Sequence, residues 1–235
     1  MKLILNGGGS GESVRESYKL FGELVENKKV LYIPLAWNKG NIENCIDWFK
    51  GEMKEFGVTD IEQILDLNTL TIEKLQNVGG VFIGGGNTFK LLKLLKESIS
   101  FDNIKQVLDK NIVFMGSSAG SMIFGKSIDS ILKDELEIKS CNDENLVQLK
   151  DTTGFDILNG YSLLPHYKKY EEQIVNFEKR IERLLNNNFK LICIPEESSL
   201  FVNDKDLIVI GGKPIEVITK DFRQEFNTNE KLDLK

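Results

Sequence analysis

Short apolar runs alternate with amphipathic segments along most of this chain. The runs have the length of strands, and the longer segments carry apolar residues at three- and four-residue steps, the pattern of a helix with one buried face. Helices are therefore predicted from about Glu12 to Glu26, over Asn41–Phe56 and from near Phe89. The predicted strands are Lys2–Asn6, Val30–Leu35, Ile61–Leu65, Val81–Ile83, Ile112–Met115, Leu191–Ile194, Leu200–Val202 and Leu207–Ile210. Strands separated by helices indicate βαβ units, and so an α/β fold with a mostly parallel sheet and helices on both faces.

The last two predicted strands break this alternation. Only the polar segment Asn203–Asp206 separates them, so they are predicted to form a C-terminal β-hairpin. The chain has 235 residues and four prolines, and no Pro-, Gly- or Ser-rich linker divides it. We therefore expect a single α/β domain over residues 1–235.

The composition argues against several function classes. With a formal charge of −6 and a pI near 5.1, the chain offers no cationic field for nucleic acid or for an anionic membrane surface. No apolar run reaches about 18 residues, and a cytoplasmic location is expected. The three cysteines, Cys45, Cys141 and Cys193, form no CxxC pair, so neither a disulfide framework nor a metal site is expected.

Three glycine-rich turns follow predicted strands, at Gly7–Gly11, Gly84–Gly86 and Gly116–Gly120. In open α/β sheets, ligands bind outside the carboxyl ends of the strands. The three turns are therefore expected to meet at one ligand site.

The third turn has the G-x-S-x-G pattern of a nucleophile elbow, directly after an apolar strand and before a helical stretch. A sharp strand-to-helix turn leaves no room for side chains on either side of its central residue, which accounts for the two glycines around Ser118. The turn also directs the N–H of Ala119 toward a developing oxyanion. Ser118 is thus a candidate nucleophile, with Ser117 and Ser121 as lesser candidates. The alternative is a plain βα turn that packs closely or binds phosphate.

A serine nucleophile needs a general base, and the chain contains one histidine, His166, at the end of a strand-like run. A structural histidine is the alternative. A third group, Asp or Glu, should orient the imidazole. The residues between Ser118 and His166 offer several candidates, among which the pattern does not choose. They are Asp129, Asp134, Asp143, Glu144, Asp151 and Asp156.

The second turn runs into Asn87 and Thr88 ahead of the Leu-rich helix. Its N–H groups could complete an oxyanion hole, and we assign Asn87 and Thr88 to substrate binding. Capping of the helix N-terminus by either residue is the alternative, and the two roles are compatible.

Four ordered segments resemble the S51 family of serine peptidases, whose members include aspartyl dipeptidases. These segments are GGGNTFKLL at Gly84–Leu92, GSSAGS at Gly116–Ser121, GFDILNGYSLLPHY at Gly154–Tyr167 and IPEESSLFV at Ile194–Val202. Together they span most of the chain. The resemblance implies a fold similar to that of class I glutamine amidotransferases, with serine in place of the nucleophilic cysteine.

The resemblance also implies roles for individual residues. Ser118 would be the nucleophile, His166 the base, and Gly86 and Ala119 the donors of the oxyanion hole. The family's aspartate lies in an N-D-x-x-hydrophobic-V segment, which Asn142–Val147 matches, so Asp143 is the expected third member of the triad. The interval from that segment to Gly154 is longer than in the dipeptidases, which keeps Asp129 and Asp151 as alternatives.

Dipeptidases selective for an N-terminal aspartate have an arginine on the helix after the Pro-His pair. The matching residue here is Phe177, on an apolar stripe typical of core packing. Arg180 at the flank of that stripe is the expected substitute for substrate binding, with Lys168 and Lys169 as further candidates. A solvated helix face is the simpler alternative for all three, so aspartyl selectivity is not predicted.

These observations predict a serine exopeptidase or dipeptidase that acts on a small peptide substrate without a metal or another cofactor. Two alternatives stay open: an esterase or other amide hydrolase that uses the same Ser-His pair, and a non-catalytic module that binds a small ligand. Neither nucleic acid nor a membrane is expected as a partner. A homodimer is an open alternative to a monomer.

Overall fold

The computed structural model of the protein describes residues 1–139 and 142–234, without the side chain of Glu171. The strands within this part of the chain are β1 (Lys2–Asn6), β2 (Val30–Ile33), β3 (Ile61–Gln63), β4 (Gly80–Ile83), β5 (Val113–Ser117), β6 (Tyr161–Pro165), β7 (Lys190–Ile194), β8 (Ser198–Asn203), β9 (Asp206–Gly211), β10 (Ile215–Ile218) and β11 (Arg223–Phe226). The α-helices are α1 (Arg15–Val25), α2 (Cys45–Met53), α3 (Ile72–Gln76), α4 (Thr88–Lys96), α5 (Ser100–Val107), α6 (Ala119–Met122) and α7 (Ile174–Asn186).

The strands form two sheets. The larger has seven strands in the order β3-β2-β4-β5-β1-β8-β9, and the strands from β3 to β1 are all parallel to one another. The smaller has four strands in the order β11-β10-β7-β6, in which β6 and β7 are parallel. The carboxyl ends of β1, β4 and β5 lie side by side at one edge of the larger sheet.

The predicted fold class is confirmed: the larger sheet is mostly parallel and has helices on both faces. On one face, Phe21 of α1 and Phe49 of α2 pack against Phe82 of β4 in a fully apolar cluster. On the other face, α4, α5 and the smaller sheet share a second cluster, in which Leu92 and Ile192 are completely buried. Burial of each such side chain stabilises the fold by about 1.5–3 kcal/mol.

The predicted hairpin is also confirmed, as β8 and β9 pair antiparallel with Asn203 opposite Asp206. The smaller sheet was not predicted, and neither were its strands β10 and β11. The segment predicted as one helix over Asn41–Phe56 is an α-helix only over Cys45–Met53, with a 3-10 turn on each side.

Among the described residues, no helix is both long enough and apolar enough to cross a membrane.

Candidate active site

The turn between β5 and α6 holds Ser118 in a conformation that L-residues rarely adopt, with φ 51° and ψ −110°. The flanking glycines permit this turn. A Cβ on Gly116 would lie 2.2 Å from the carbonyl oxygen of Gly120, and a Cβ on Gly120 would lie 2.0 Å from that of Ile83. The steric reason predicted for the two glycines is therefore found in the structure. The Ser121 hydroxyl is directed inward, with Oγ 2.7 Å from the Gly116 carbonyl oxygen, and helps to close the turn.

His166 lies against the hydroxyl of Ser118. Its Nε2 is 2.5 Å from Ser118 Oγ, and its Nδ1 is 2.8 Å from Glu196 Oε1. The two sheets supply different members of this chain of hydrogen bonds. Ser118 follows β5 of the larger sheet, whereas His166 and Glu196 follow β6 and β7, which are parallel neighbours with Pro165 opposite Ile194. Strand pairing in the smaller sheet thus brings His166 and Glu196 together across 30 residues of sequence.

Glu196, and not the predicted Asp143, contacts Nδ1 of His166. Asp143 Oδ2 instead accepts a hydrogen bond of 2.7 Å from the backbone N–H of Thr88. Of the alternatives, Asp129 accepts from Thr152 at 2.7 Å, and Asp151 forms an exposed ion pair with Lys96. The choice of Asp143 rested on its match to the family's N-D-x-x-hydrophobic-V segment, and the other acids considered all lie between Ser118 and His166, whereas Glu196 follows His166 in the chain. The Pro-Glu pair in the segment Ile194–Val202 was the available signal for Glu196.

Glu196 is held as a carboxylate. Burial by itself would raise the pKa of this side chain, but the hydrogen bonds from His166 and from Lys169 outweigh it and hold the pKa below its usual range. The Lys169 Nζ is 2.7 Å from Oε1, the same oxygen that contacts His166. An ionised Glu196 accepts a hydrogen bond from the Nδ1–H of a neutral imidazole, which leaves the Nε2 lone pair free to accept the proton of Ser118.

The glycine turn after β4 lies beside Ser118. A Cβ on Gly85 would lie 3.3 Å from Ser118 Cβ, and one on Gly86 would lie 2.2 Å from the carbonyl oxygen of Ala36. Only glycines allow this backbone to pass between Ser118 and the loop after β2. Ala119, the other predicted oxyanion donor, is the first residue of α6. Both N–H groups thus belong to segments that adjoin Ser118.

Asn87 and Thr88 serve the protein rather than the cavity, which corrects their assignment to substrate binding. The Asn87 side chain caps α4 by accepting from the N–H of Lys90 at 2.8 Å, and its amide donates to the Glu144 carbonyl at 3.0 Å. Thr88 is completely buried, and its N–H anchors Asp143. The capping alternative is therefore the one found, and the turn positions a carboxylate.

Arg180 is also misassigned, because it is buried in the protein with 1% of its surface exposed. It forms an ion pair of 2.9 Å with Asp134 and donates a hydrogen bond to Asn142. The predicted core position of Phe177 is confirmed: the side chain is fully buried, with the ring edge-on to Tyr167. Phe177 thus occupies the position that matches the arginine of the aspartate-selective dipeptidases. Neither arginine of α7, Arg180 or Arg183, is directed at Ser118, because both contact Asp134.

A cavity of about 750 Å³ opens over the Ser118–His166 pair. All three glycine-rich turns line it, as expected for the carboxyl ends of these strands. Asp143 lines it as well, and burial raises the pKa of this carboxyl, although the hydrogen bonds from Thr88 and the proximity of His166 act in the opposite direction. Four aromatic residues also line the cavity, Tyr32, Trp37, Trp48 and Phe82. Ser118, His166 and the carboxyl group of Asp143 thus line one cavity.

Comparison with known proteins gives consistent results. The model of "Peptidase family S51" matches residues 3–210. A protein named Peptidase E from Nostoc sp. is 25% identical over 212 residues, which cover 88% of this chain and 82% of that protein. Peptidase E from Shewanella denitrificans is 28% identical over 193 residues, with coverages of 79% and 76%. The crystal structure of a peptidase from an acI-B1 Actinobacterium superposes with a TM-score of 0.73 at 18% identity, over 99% of this chain and 96% of that one, and shares its fold.

Proposed function

Since the chain belongs to peptidase family S51, we propose that it is a serine exopeptidase that removes the first residue of short peptides through an acyl-enzyme on Ser118. The observation that carries this proposal is the continuous contact from Ser118 Oγ to His166 Nε2, 2.5 Å, and from His166 Nδ1 to Glu196 Oε1, 2.8 Å. Both distances are those of hydrogen bonds, and the order is that of nucleophile, base and orienting acid.

In the first half-reaction, Ser118 Oγ adds to the scissile carbonyl carbon while its proton passes to His166 Nε2. The imidazolium that forms is stabilised by Glu196 through Nδ1. His166 then gives its proton to the leaving amine as the C–N bond breaks, and the acyl group stays on Ser118.

In the second half-reaction, a water molecule attacks the acyl ester, and His166 accepts its proton and returns it to Ser118 Oγ. The N–H groups of Gly86 and Ala119 hold the oxyanion in both half-reactions. Loss of one such donor costs about 10²–10³ in kcat in a serine peptidase.

The size of the cavity and the position of Asp143 support an exopeptidase. A volume of about 750 Å³ lies in the range typical of small-ligand sites and suits a dipeptide better than a long chain. Asp143 is fixed in the same cavity through its bond with Thr88. A carboxylate at that position suits the protonated amino group of a peptide, and a bound ammonium would in turn favour the ionised carboxylate.

A fluorophosphonate probe tests the nucleophile directly, because it forms a P–O bond with an activated serine and releases fluoride. We expect one labelled residue per chain, at Ser118, and loss of labelling in Ser118→Ala. Ser98→Ala, at a serine that bonds to Leu95 in the α4–α5 turn, is the control and should label normally. Absence of labelling in folded wild-type protein would exclude a serine hydrolase.

The substrate class needs a second measurement. Hydrolysis of a free dipeptide is compared with that of its N-acetylated form and of a p-nitrophenyl ester. An exopeptidase prefers the free dipeptide over the acetylated one. Preference for the ester, without cleavage of either peptide, would instead identify an esterase with the same Ser118–His166 pair.

A further inference from the structure

One part of the cavity lining is made of aromatic rings, and it adjoins the glycine turn after β4. Tyr32 and Phe82 come from the neighbouring parallel strands β2 and β4, where they are directly opposite each other. Trp37 comes from the loop after β2, and Trp48 from α2. All four side chains line the same cavity as Ser118 and His166, and we call them the aromatic wall.

Packing around Phe49 holds three members of the aromatic wall, Tyr32, Trp48 and Phe82, in place. Phe49 of α2 is fully buried and stacks on Tyr32, with ring centroids 4.2 Å apart. Its ring centre is 4.5 Å from that of Phe82 and 6.4 Å from that of Trp48. Tyr32, Phe82 and Trp48 therefore form one packed group around Phe49, and this part of the aromatic wall is built before any ligand binds.

Two rings of the aromatic wall remain open to solvent. Trp37 is 40% exposed and Trp48 is 44% exposed. Tryptophan is normally highly buried, and partly exposed aromatic surface inside a cavity is typical of a ligand site. The area left open on these rings is therefore available for contact with an apolar group.

The charges around the cavity do not suit an acidic side chain. Of the lysines and arginines within residues 1–139 and 142–234, Lys39 alone lines the cavity, and it lies on an exposed loop. Arg180 is buried elsewhere against Asp134. A substrate carboxylate placed against the aromatic wall would lose its hydration without a buried cationic partner, which is costly.

We propose that the aromatic wall binds an apolar side chain, preferably an aromatic one, on the residue that becomes the acyl group. The enzyme then prefers peptides that begin with Phe, Tyr, Trp or Leu over peptides that begin with Asp. This inference rests on the proposed function, in which the amino group of that first residue meets Asp143. Both the first residue's amino group and its side chain thus enter the cavity, while the leaving residue lies outside it.

The expected preference is large. In an apolar pocket, one methylene group changes kcat/KM by about 10-fold or more. A phenyl group in place of hydrogen on the Cβ should therefore raise kcat/KM by at least about 10-fold for Phe-Leu over Ala-Leu. For Asp-Leu, kcat/KM should not exceed the value for Ala-Leu.

The experiment measures kcat/KM of the full chain on Phe-Leu, Ala-Leu and Asp-Leu. Trp48→Ala should lower the ratio of Phe-Leu to Ala-Leu by about 10-fold, whereas Trp48→Phe should keep most of it. Val175→Ala, at an exposed position of α7, is the matched control and should leave the ratio unchanged. A ratio that does not fall in Trp48→Ala while circular dichroism shows a folded protein would overturn the inference.

Two further results separate failure of this inference from failure of the proposed function. If fluorophosphonate labels Ser118 but Asp-Leu is the best substrate and Lys39→Ala abolishes its hydrolysis, the enzyme is a serine peptidase with an acidic specificity, and the inference is wrong. Cleavage of Ala-Phe in preference to Phe-Ala would show that the aromatic wall holds the leaving residue, and would also overturn it. Absence of fluorophosphonate labelling in the folded wild-type protein would instead contradict the proposed function itself.

Discussion

At the scale of single residues, the site depends on the two hydrogen bonds that the Glu196 carboxylate accepts, from His166 and from Lys169. One carboxylate oxygen, Oε1, contacts both His166 Nδ1 and Lys169 Nζ. The carboxyl group of Asp143, which lines the cavity, accepts from the backbone N–H of Thr88 instead. The two acids are therefore expected to have separable effects.

Glu196→Gln should lower kcat/KM by roughly 10²–10⁴-fold, because a neutral amide neither orients the imidazole correctly nor stabilises the imidazolium. Glu197→Gln is the matched control, since Glu197 is the next residue but pairs with Lys213 at 2.8 Å. Steady-state kinetics on a dipeptide measures both. Full activity in Glu196→Gln, with activity lost in Asp143→Asn on N-acetylated and free substrate alike, would make Asp143 the orienting acid.

Lys169→Ala should lower kcat/KM only a few-fold, because the pair of Lys169 with Glu196 is partly exposed and such pairs contribute little. The effect that distinguishes Lys169→Ala is a change in the pH dependence of kcat/KM. Lys169 helps to hold the pKa of Glu196 below its usual range, so its removal makes protonation of Glu196 easier. The acid limb of the kcat/KM profile should move to higher pH.

Lys168→Ala is the control for this experiment, because Lys168 bonds to Glu216 and not to Glu196. An unmoved acid limb in Lys169→Ala, or an equal shift in Lys168→Ala, would show that Lys169 has no positioning role.

The lowered pKa of Glu196 also makes the stability of the fold depend on pH. A lowered pKa of Glu196 stabilises the fold above the pKa of the unfolded chain, and this contribution is lost as the pH falls through the folded-state value.

At the scale of elements, α7 is joined by a buried ion pair to the loop that contains Asp134, ahead of β6. Arg180 is almost fully buried against Asp134, and Arg183 of the same helix contacts Asp134 too. The helix is thereby held against residues that lead into the Asp143 segment.

Arg180→Ala should therefore reduce the free energy of unfolding by about 3 kcal/mol, the lower end for a broken buried pair, since Arg183 still contacts Asp134. Urea denaturation followed by circular dichroism measures this loss. The ratio of kcat/KM values for Phe-Leu and Asp-Leu should not change. A selective loss of activity on Asp-Leu, with unchanged stability, would restore Arg180 as a substrate-binding residue.

At the scale of the whole molecule, the site exists only where the two sheets meet. Ser118 belongs to the end of β5, and its partners belong to the ends of β6 and β7. Both tryptophans of the chain, Trp37 and Trp48, line the same cavity. Tryptophan fluorescence is thus a local probe of the site, whereas far-UV circular dichroism reports on all elements.

We expect both signals, and labelling by fluorophosphonate, to be lost at the same urea concentration, because the site cannot persist once either sheet has separated from the other. The comparison of the three midpoints is the measurement. Labelling that survives a first transition in circular dichroism would mean that the sheets unfold separately and that the site resides in one of them.

The sequence by itself determined the features that are encoded locally. The parallel strands and most helices follow from apolar periodicity, and the hairpin from a polar segment between two apolar runs. The turn at Ser118 could be read from its glycines, because the steric demand of a strained turn acts on neighbouring residues. His166 could be named as its partner because the chain offers no other histidine.

Only the tertiary structure decided which distant groups complete the site. Apolar periodicity shows that a strand exists but not which strand pairs with it. The pairing of β6 with β7, and with it the contact of Glu196 with His166, could therefore not be predicted from the sequence. Phe177 lies on an apolar stripe of α7 and Arg180 lies beside it. The sequence does not show that Arg180 is buried, because its partner Asp134 is brought to it only by the tertiary structure. The aromatic wall likewise appears only when β2, β4 and α2 pack together, because hydrophobic contact depends on proximity in space and not on order along the chain.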